Sequence, residues 1–147
     1  MIFIFKAFFL FSSSITFAQS MTPVRNYQMV VSQLNELHKT YPQNTELFKL
    51  GTSNEGVDII GIKIGNGSVH NLVVGTHHGN EYGSTAVAEG VAKALAADPI
   101  DGQTIYVIPV LNTGGYDRRS RREYVGTRSY DPNRDYPGPC GTQGPFV

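Results

Sequence analysis

Residues 71–111 read NLVVGTHHGNEYGSTAVAEGVAKALAADPIDGQTIYVIPVL. The stretch divides into an apolar run, a turn rich in His and Gly, a helical segment and a second apolar run. Asn71 to Gly75 has the look of a buried, central strand. From Tyr82 to Ala97 the apolar residues Val87, Val91, Ala94 and Leu95 recur at helical spacing, with Glu89 and Lys93 off that face. Asp98-Pro99 stops the helix. Thr104 to Leu111 is a further buried strand, in which Pro109 marks an edge or a strand end. Strand, helix, strand in this order is a βαβ unit, so at least part of the sheet is parallel.

Working towards the N-terminus, Asn66-Gly67 is a turn. Val57 to Ile64 is a β-branched strand that pairs as a hairpin with a short strand at Glu46 to Leu50, across the turn Ser53-Asn54-Glu55-Gly56. Asn26 to Thr40 carries Tyr27, Val30, Val31, Leu34 and Leu37 at helical spacing, and Tyr41-Pro42 ends that helix. Residues 1–20, MIFIFKAFFLFSSSITFAQS, are apolar with a single charge at Lys6. They read as a secretory signal peptide cut near Ala18 or Ser20, too short and too rich in serine for a stable membrane span. This places the mature protein outside the cytoplasm, secreted or periplasmic. Beyond Asn112 the chain shows no strong periodicity and is expected to be an irregular loop.

Composition narrows the function classes. The 147 residues carry 12 basic and 12 acidic side chains, and 40% are hydrophobic. This suits a globular domain and argues against disorder and against a whole-protein nucleic-acid binder. A single cysteine, Cys140, excludes an internal disulfide and any paired-cysteine metal site.

The strand at Asn71–Gly75 runs into Thr76-His77-His78-Gly79-Asn80-Glu81. Ligands in open α/β sheets bind beyond the carboxyl ends of strands, where His78 and Glu81 stand. Imidazole nitrogen and carboxylate oxygen are zinc donors, and Gly79 permits the sharp turn between them. The same two residues would serve equally as caps or hydrogen-bond partners. His77 is expected on the opposite face as a supporting or core residue. His70 lies at the far end of the strand, roughly 25 Å away at about 3.3 Å per residue. His38 is expected on the surface.

Six of the twelve basic side chains, Arg118, Arg119, Arg121, Arg122, Arg128 and Arg134, lie between positions 118 and 134. A solvated loop, a nucleic-acid patch and a carboxylate-binding pocket compete as explanations. Arginine grips carboxylates in two places, and Asn133 adds an amide donor. Interleaved Asp117, Glu123, Asp131 and Asp135 make nucleic acid the weakest of the three.

The Tyr41-Pro42 helix end, Leu50-Gly51-Thr52-Ser53-Asn54-Glu55-Gly56, His78-Gly79-Asn80-Glu81, the βαβ unit and Asp131-Pro132-Asn133-Arg134, in this order, resemble the zinc carboxypeptidases of the carboxypeptidase A type. The resemblance covers nearly all of residues 21–147, but only the first half of that family's catalytic domain. It implies a mixed, partly parallel α/β sheet flanked by helices, here truncated, and a Zn²⁺ cofactor. His78 and Glu81 would be the first two zinc ligands. Asn133 and Arg134 would hold the terminal carboxylate of a peptide or protein substrate. Arg122, preferred over Arg121, would polarise the scissile carbonyl. The family's third ligand (a His), its general base (a Glu) and its lid Tyr are downstream residues, so the chain is expected to be an inactive fragment of a longer enzyme.

Departures from the family pattern fall at Val57, Asn80, Asn112-Thr113-Gly114-Gly115 and Asp135. A deacylase of the succinylglutamate desuccinylase or aspartoacylase type shares the His-Gly-Asn-Glu signature and is the alternative enzyme. A noncatalytic module that binds peptide carboxylates is the alternative outside enzymes.

Overall fold

A computed structural model describes residues 25–134 and 136. The leader at residues 1–20, Asp135 and Cys140 lie outside them. The elements are α1 (Tyr27–Thr40), β1 (Thr45–Thr52), β2 (Asp58–Gly65), β3 (Val69–Val74), α2 (Tyr82–Ala97), β4 (Gln103–Ile108), α3 (Thr113–Arg118), β5 (Glu123–Val125) and β6 (Arg128–Tyr130), followed by a 3₁₀ turn at Pro132–Arg134. Four strands form one sheet in the order β1-β2-β4-β3. β1 with β2 and β2 with β4 are antiparallel, and β3 with β4 is parallel. The expected mixed α/β sheet, hairpin and βαβ unit are all present.

Helix α1 starts because the Asn26 side chain accepts from the Met29 amide, a side-chain cap on an otherwise orphan donor. Its buried stripe, Val30 and Leu34, follows the helical period. Ile62, Ile64, Ile105 and Val107 alternate onto the same face of the sheet and meet Leu34, Ala88 and Ala92. A second cluster joins Tyr27, Val30, Val110 and Tyr116. Tyr27 fastens three elements. Its hydroxyl donates to the Asp58 carbonyl at 2.8 Å and accepts from the Ile60 amide at 2.8 Å. Its backbone N–H donates to Asp117 at 2.7 Å. Burial raises the Tyr27 phenol above its ordinary value, with the Ile60 amide opposing.

Four expectations differ from what the described residues show. First, α2 turns Thr85, Ala88, Ala92 and Ala96 to the sheet, whereas Val87 is 67% exposed. Small side chains let the helix axis approach the isoleucines of β2 and β4, and that gain outweighs burying a valine face. Second, β3 stands at the margin of the sheet that the described residues form. It pairs only with β4 among the described residues, and Leu72 is 63% exposed. Third, His38 is half-buried, with Nδ1 3.0 Å from the Thr45 hydroxyl. Fourth, the segment after Asn112 is ordered into α3 and the β5–β6 hairpin. Asn112 caps α3 by accepting from the Gly115 amide at 2.8 Å. Pro109 does stand just past a strand end, that of β4.

Because Ala92 is fully buried, Ala92→Leu is expected to lower stability by about 1–3 kcal/mol through overpacking. Val87→Ala should change it by less than about 0.5 kcal/mol. Urea unfolding of the two variants checks this, and a larger loss for the valine would return α2 to the face its valines define.

Candidate metal centre

The site is built where β3 hands over to α2. The parallel ladder continues past β3, with the Gly75 amide donating to the Ile108 carbonyl and the Leu111 amide to the Gly75 carbonyl. Thr76 then takes φ 54°, a left-handed conformation that a β-branched residue rarely adopts. A network over-determines it. Its amide donates to the Ser84 hydroxyl at 2.9 Å, its own hydroxyl donates to the Pro109 carbonyl at 3.0 Å, and Thr85 Oγ1 lies 2.5 Å away. Ser84 also donates to the Glu81 carbonyl at 2.7 Å, so one hydroxyl ties the strand end to the first turn of α2.

Gly79 passes directly over α3. A Cβ built at Gly79 would stand 1.9 Å from the Gly115 carbonyl carbon and 2.3 Å from the Tyr116 nitrogen. Asn112 holds the other side. Its amide donates to the Thr76 carbonyl at 3.0 Å, and its side-chain nitrogen reaches the carbonyls of His77 at 3.3 Å and Arg121 at 3.4 Å.

This scaffold presents a buried imidazole between two carboxylates. His78 is 5% exposed. Its Nδ1 lies 2.8 Å from Glu81 Oε1, and its Nε2 lies 2.9 Å from Asp131 Oδ1. Glu81 is the N-cap residue of α2 but makes no side-chain cap hydrogen bond, because its carboxylate turns to His78. A neutral imidazole carries one N–H. Two acceptors facing one donor leave one contact that needs a cation, either a second proton or a metal ion.

The donor set fits zinc: imidazole Nδ1 and Glu81 Oε1 side by side, with Asp131 orienting the ring from behind. Among the described residues no third His, Cys, Asp or Glu joins them in a metal-holding group. Burial pushes Asp131 upward, but hydrogen bonds from His78 and the Asn133 amide, with the charges of His78 and Arg121, hold its carboxyl below the usual range.

The arginines separate. Arg121 reaches the site, with Nη1 3.5 Å from Glu81 Oε1 and Nη2 3.3 Å from Asp131 Oδ2. Arg122 is engaged elsewhere, its Nε and Nη2 donating to the Ser129 hydroxyl at 3.1 Å and carbonyl at 3.3 Å. Arg118 pairs with Glu55 at 3.0 Å and lies 5.0 Å over the Tyr124 ring. Asn133 and Arg134 are exposed on the 3₁₀ turn next to Asp131. The Asn133 amide donates to Asp131 Oδ1 at 3.1 Å, and Arg134 Nη1 donates to the Asn133 carbonyl at 2.8 Å.

His77 contacts the Tyr136 hydroxyl through Nε2. Burial, then the neighbouring His78, lower its pKa against an opposing contribution from Glu81. His70 stacks on Tyr106, with ring centroids 5.9 Å apart. Val57 and Asn80, two of the departures from the family pattern, are exposed.

A family profile described as zinc carboxypeptidase matches residues 30–144. The chain belongs to the zinc carboxypeptidase family. Solved structures repeat the fold. A metallo-carboxypeptidase from Burkholderia cenocepacia is similar at TM-score 0.67 and 20% identity, over 82% of this chain and 35% of that one. The carboxypeptidase A of Helicoverpa armigera is similar at TM-score 0.60 and 23% identity, over 77% and 34%. An aspartoacylase family protein from Mesorhizobium loti is similar at TM-score 0.54 and 21% identity, over 65% and 31%. The chain thus spans about a third of the length of these structures. In this zinc carboxypeptidase-family chain, sequence reasoning missed Asp131 as the partner of His78 and Asn112 as the hub beneath it. Asn before Thr-Gly-Gly is a readable cap signal, whereas the Asp131 contact joins residues 53 positions apart.

Gly79→Ala is expected to lower stability by about 2 kcal/mol or more, since neither backbone segment can yield to a new Cβ without moving the loop or α3. Thermal unfolding of the variant checks this, and wild-type stability would mean the crossing is loose.

Proposed function

We propose that this chain carries the first two zinc ligands and the substrate anchors of a metallocarboxypeptidase that removes C-terminal residues from peptides. The third ligand and the general base would be supplied by residues outside these 147, so the chain alone would be inactive. The observation that carries the reading is the imidazole of His78 held between two carboxylates, with one contact that requires a cation. Membership of the zinc carboxypeptidase family supports zinc as that cation.

The placement of these side chains supports the following roles. His78 and Glu81 would hold the metal, and Asp131, in contact with His78 Nε2, would keep the ring proton on that nitrogen and leave Nδ1 free for the metal. When bound, zinc supplies a polarised carbonyl and a water of lowered pKa. Arg121, rather than Arg122, stands where a developing oxyanion beside the ligands can be stabilised, because Arg122 is occupied by Ser129. Asn133 and Arg134 anchor the substrate's terminal carboxylate, which makes the cleavage exopeptidic. The leader at residues 1–20 would direct the enzyme to the periplasm or the exterior. No helix among the described residues is long and apolar enough to cross a membrane.

The similarity in fold to an aspartoacylase family protein favours deacylation of N-acyl amino acids as the second reading. The test uses the whole protein as its source makes it. We expect one zinc per molecule and release of C-terminal residues from free peptides but not from C-terminally amidated ones. Turnover of N-acyl amino acids without peptide cleavage would establish the deacylase. No zinc uptake would leave only carboxylate binding. Asp131→Asn should weaken zinc binding by about 10- to 100-fold, as loss of an orienting partner does, in a chelator competition.

A further inference from the structure

The Arg121 guanidinium bridges the two carboxylates that flank His78, and it does so at the oxygen a metal would need. Glu81 Oε1 is shared between His78 Nδ1 at 2.8 Å and Arg121 Nη1 at 3.5 Å. Arg121 Nη2 meets Asp131 Oδ2 at 3.3 Å, while the other oxygen of that carboxylate serves His78. Arg121 is half-exposed, as is Glu81, so the pair can part without unfolding anything. Its partner Asp131 is held by the His78 ring and by the Asn133 amide, so it stays in place when the arginine leaves.

We infer that Arg121 is a competitor for the metal's carboxylate ligand. Its charge draws Glu81 towards itself when the metal is released and repels an incoming divalent cation. The arrangement therefore sets metal affinity below what the donor set alone would give. It also couples metal loading to the arginine: a cation that captures Glu81 frees the guanidinium, which then faces the substrate instead of its own protein. This inference rests on the zinc reading of the site. It goes beyond that reading in giving Arg121 an effect on the metal in the absence of substrate, with a sign opposite to that of a supporting residue.

The sign is what the geometry decides. A residue that merely braces Glu81 and Asp131 would weaken metal binding when removed. A competitor would strengthen it. An exposed ion pair is worth at most about fivefold in an equilibrium constant, so the effect is modest and must be measured against matched controls.

The experiment is zinc competition against a chromogenic chelator, without substrate, on the whole protein and its variants. Arg121→Gln is expected to bind zinc about 2- to 5-fold more tightly than wild type, given the worth of such a pair. Arg121→Lys keeps the charge and should stay near wild type. Arg122→Gln, whose arginine is held by Ser129, should not change the affinity. Raising the salt concentration should shrink the Arg121→Gln difference, because the competing charge is exposed to screening. Unchanged or weaker zinc binding by Arg121→Gln overturns the inference while leaving the zinc reading intact. A wild-type protein that takes up no zinc would instead sink the reading on which the inference rests. Circular dichroism of each variant separates a lost fold from a changed affinity.

Discussion

Two stretches of backbone cross at Gly79 and Gly115, and the rest of the site follows from how close they come. A methyl group at either position would collide: at Gly79 with the backbone of Gly115, at Gly115 with the Asn112 side chain 2.6 Å away and the Arg122 carbonyl at 2.8 Å. The contact brings the end of β3 down onto the first turn of α3. Once there, Asn112 serves both sides, capping α3 and donating to the His77 and Arg121 carbonyls. The distance between His78 and the segment that carries Arg121 and Asp131 is thereby set by backbone, not by flexible side chains. Strain at Thr76 belongs to the same arrangement. The chain must leave the strand abruptly to reach the crossing, and three hydroxyls, of Thr76, Ser84 and Thr85, hold the turn.

Much of this was legible before any coordinates. The βαβ unit, the hairpin and α1 follow from periodicity and from Gly, Pro and Asn punctuation, which act locally. His78 and Glu81 were legible as a candidate pair because strand ends are where α/β sheets bind ligands. Three features escaped for physical reasons. The buried face of α2 is set by how closely a helix can approach two isoleucine-rich strands, which favours alanine over valine there, and a hydrophobicity pattern ranks those residues the other way. Where β3 stands among the described strands depends on strand order, which an apolar run does not encode. Which of Arg121 and Arg122 reaches Glu81 and Asp131 depends on which way consecutive side chains leave the backbone between α3 and β5. That direction comes from Arg119, left-handed at φ 55° as the C-cap of α3, and from the Ser120 hydroxyl that accepts from the Arg122 amide.

The site divides its work by burial. His78 is enclosed and the geometry of its ring is fixed from both sides, so the imidazole keeps one orientation whatever the rest of the site does. Glu81 and Arg121 are half-exposed, and their mutual contact at 3.5 Å is longer than a good ion pair. Exposed pairs of this kind contribute about 1 kcal/mol or less, so thermal motion makes and breaks them readily. A centre with every member buried and paired would resist rearrangement, because each broken contact would strand a charge away from water. A centre with every member exposed would hold nothing in register. Placing the imidazole on the rigid strand-to-helix turn and the exchangeable charges at the rim satisfies both demands. It also fits the place of Arg121 after a left-handed helix cap instead of within a strand: from there its head can reach the Glu81 carboxylate or swing away from it while its backbone stays fastened to Asn112.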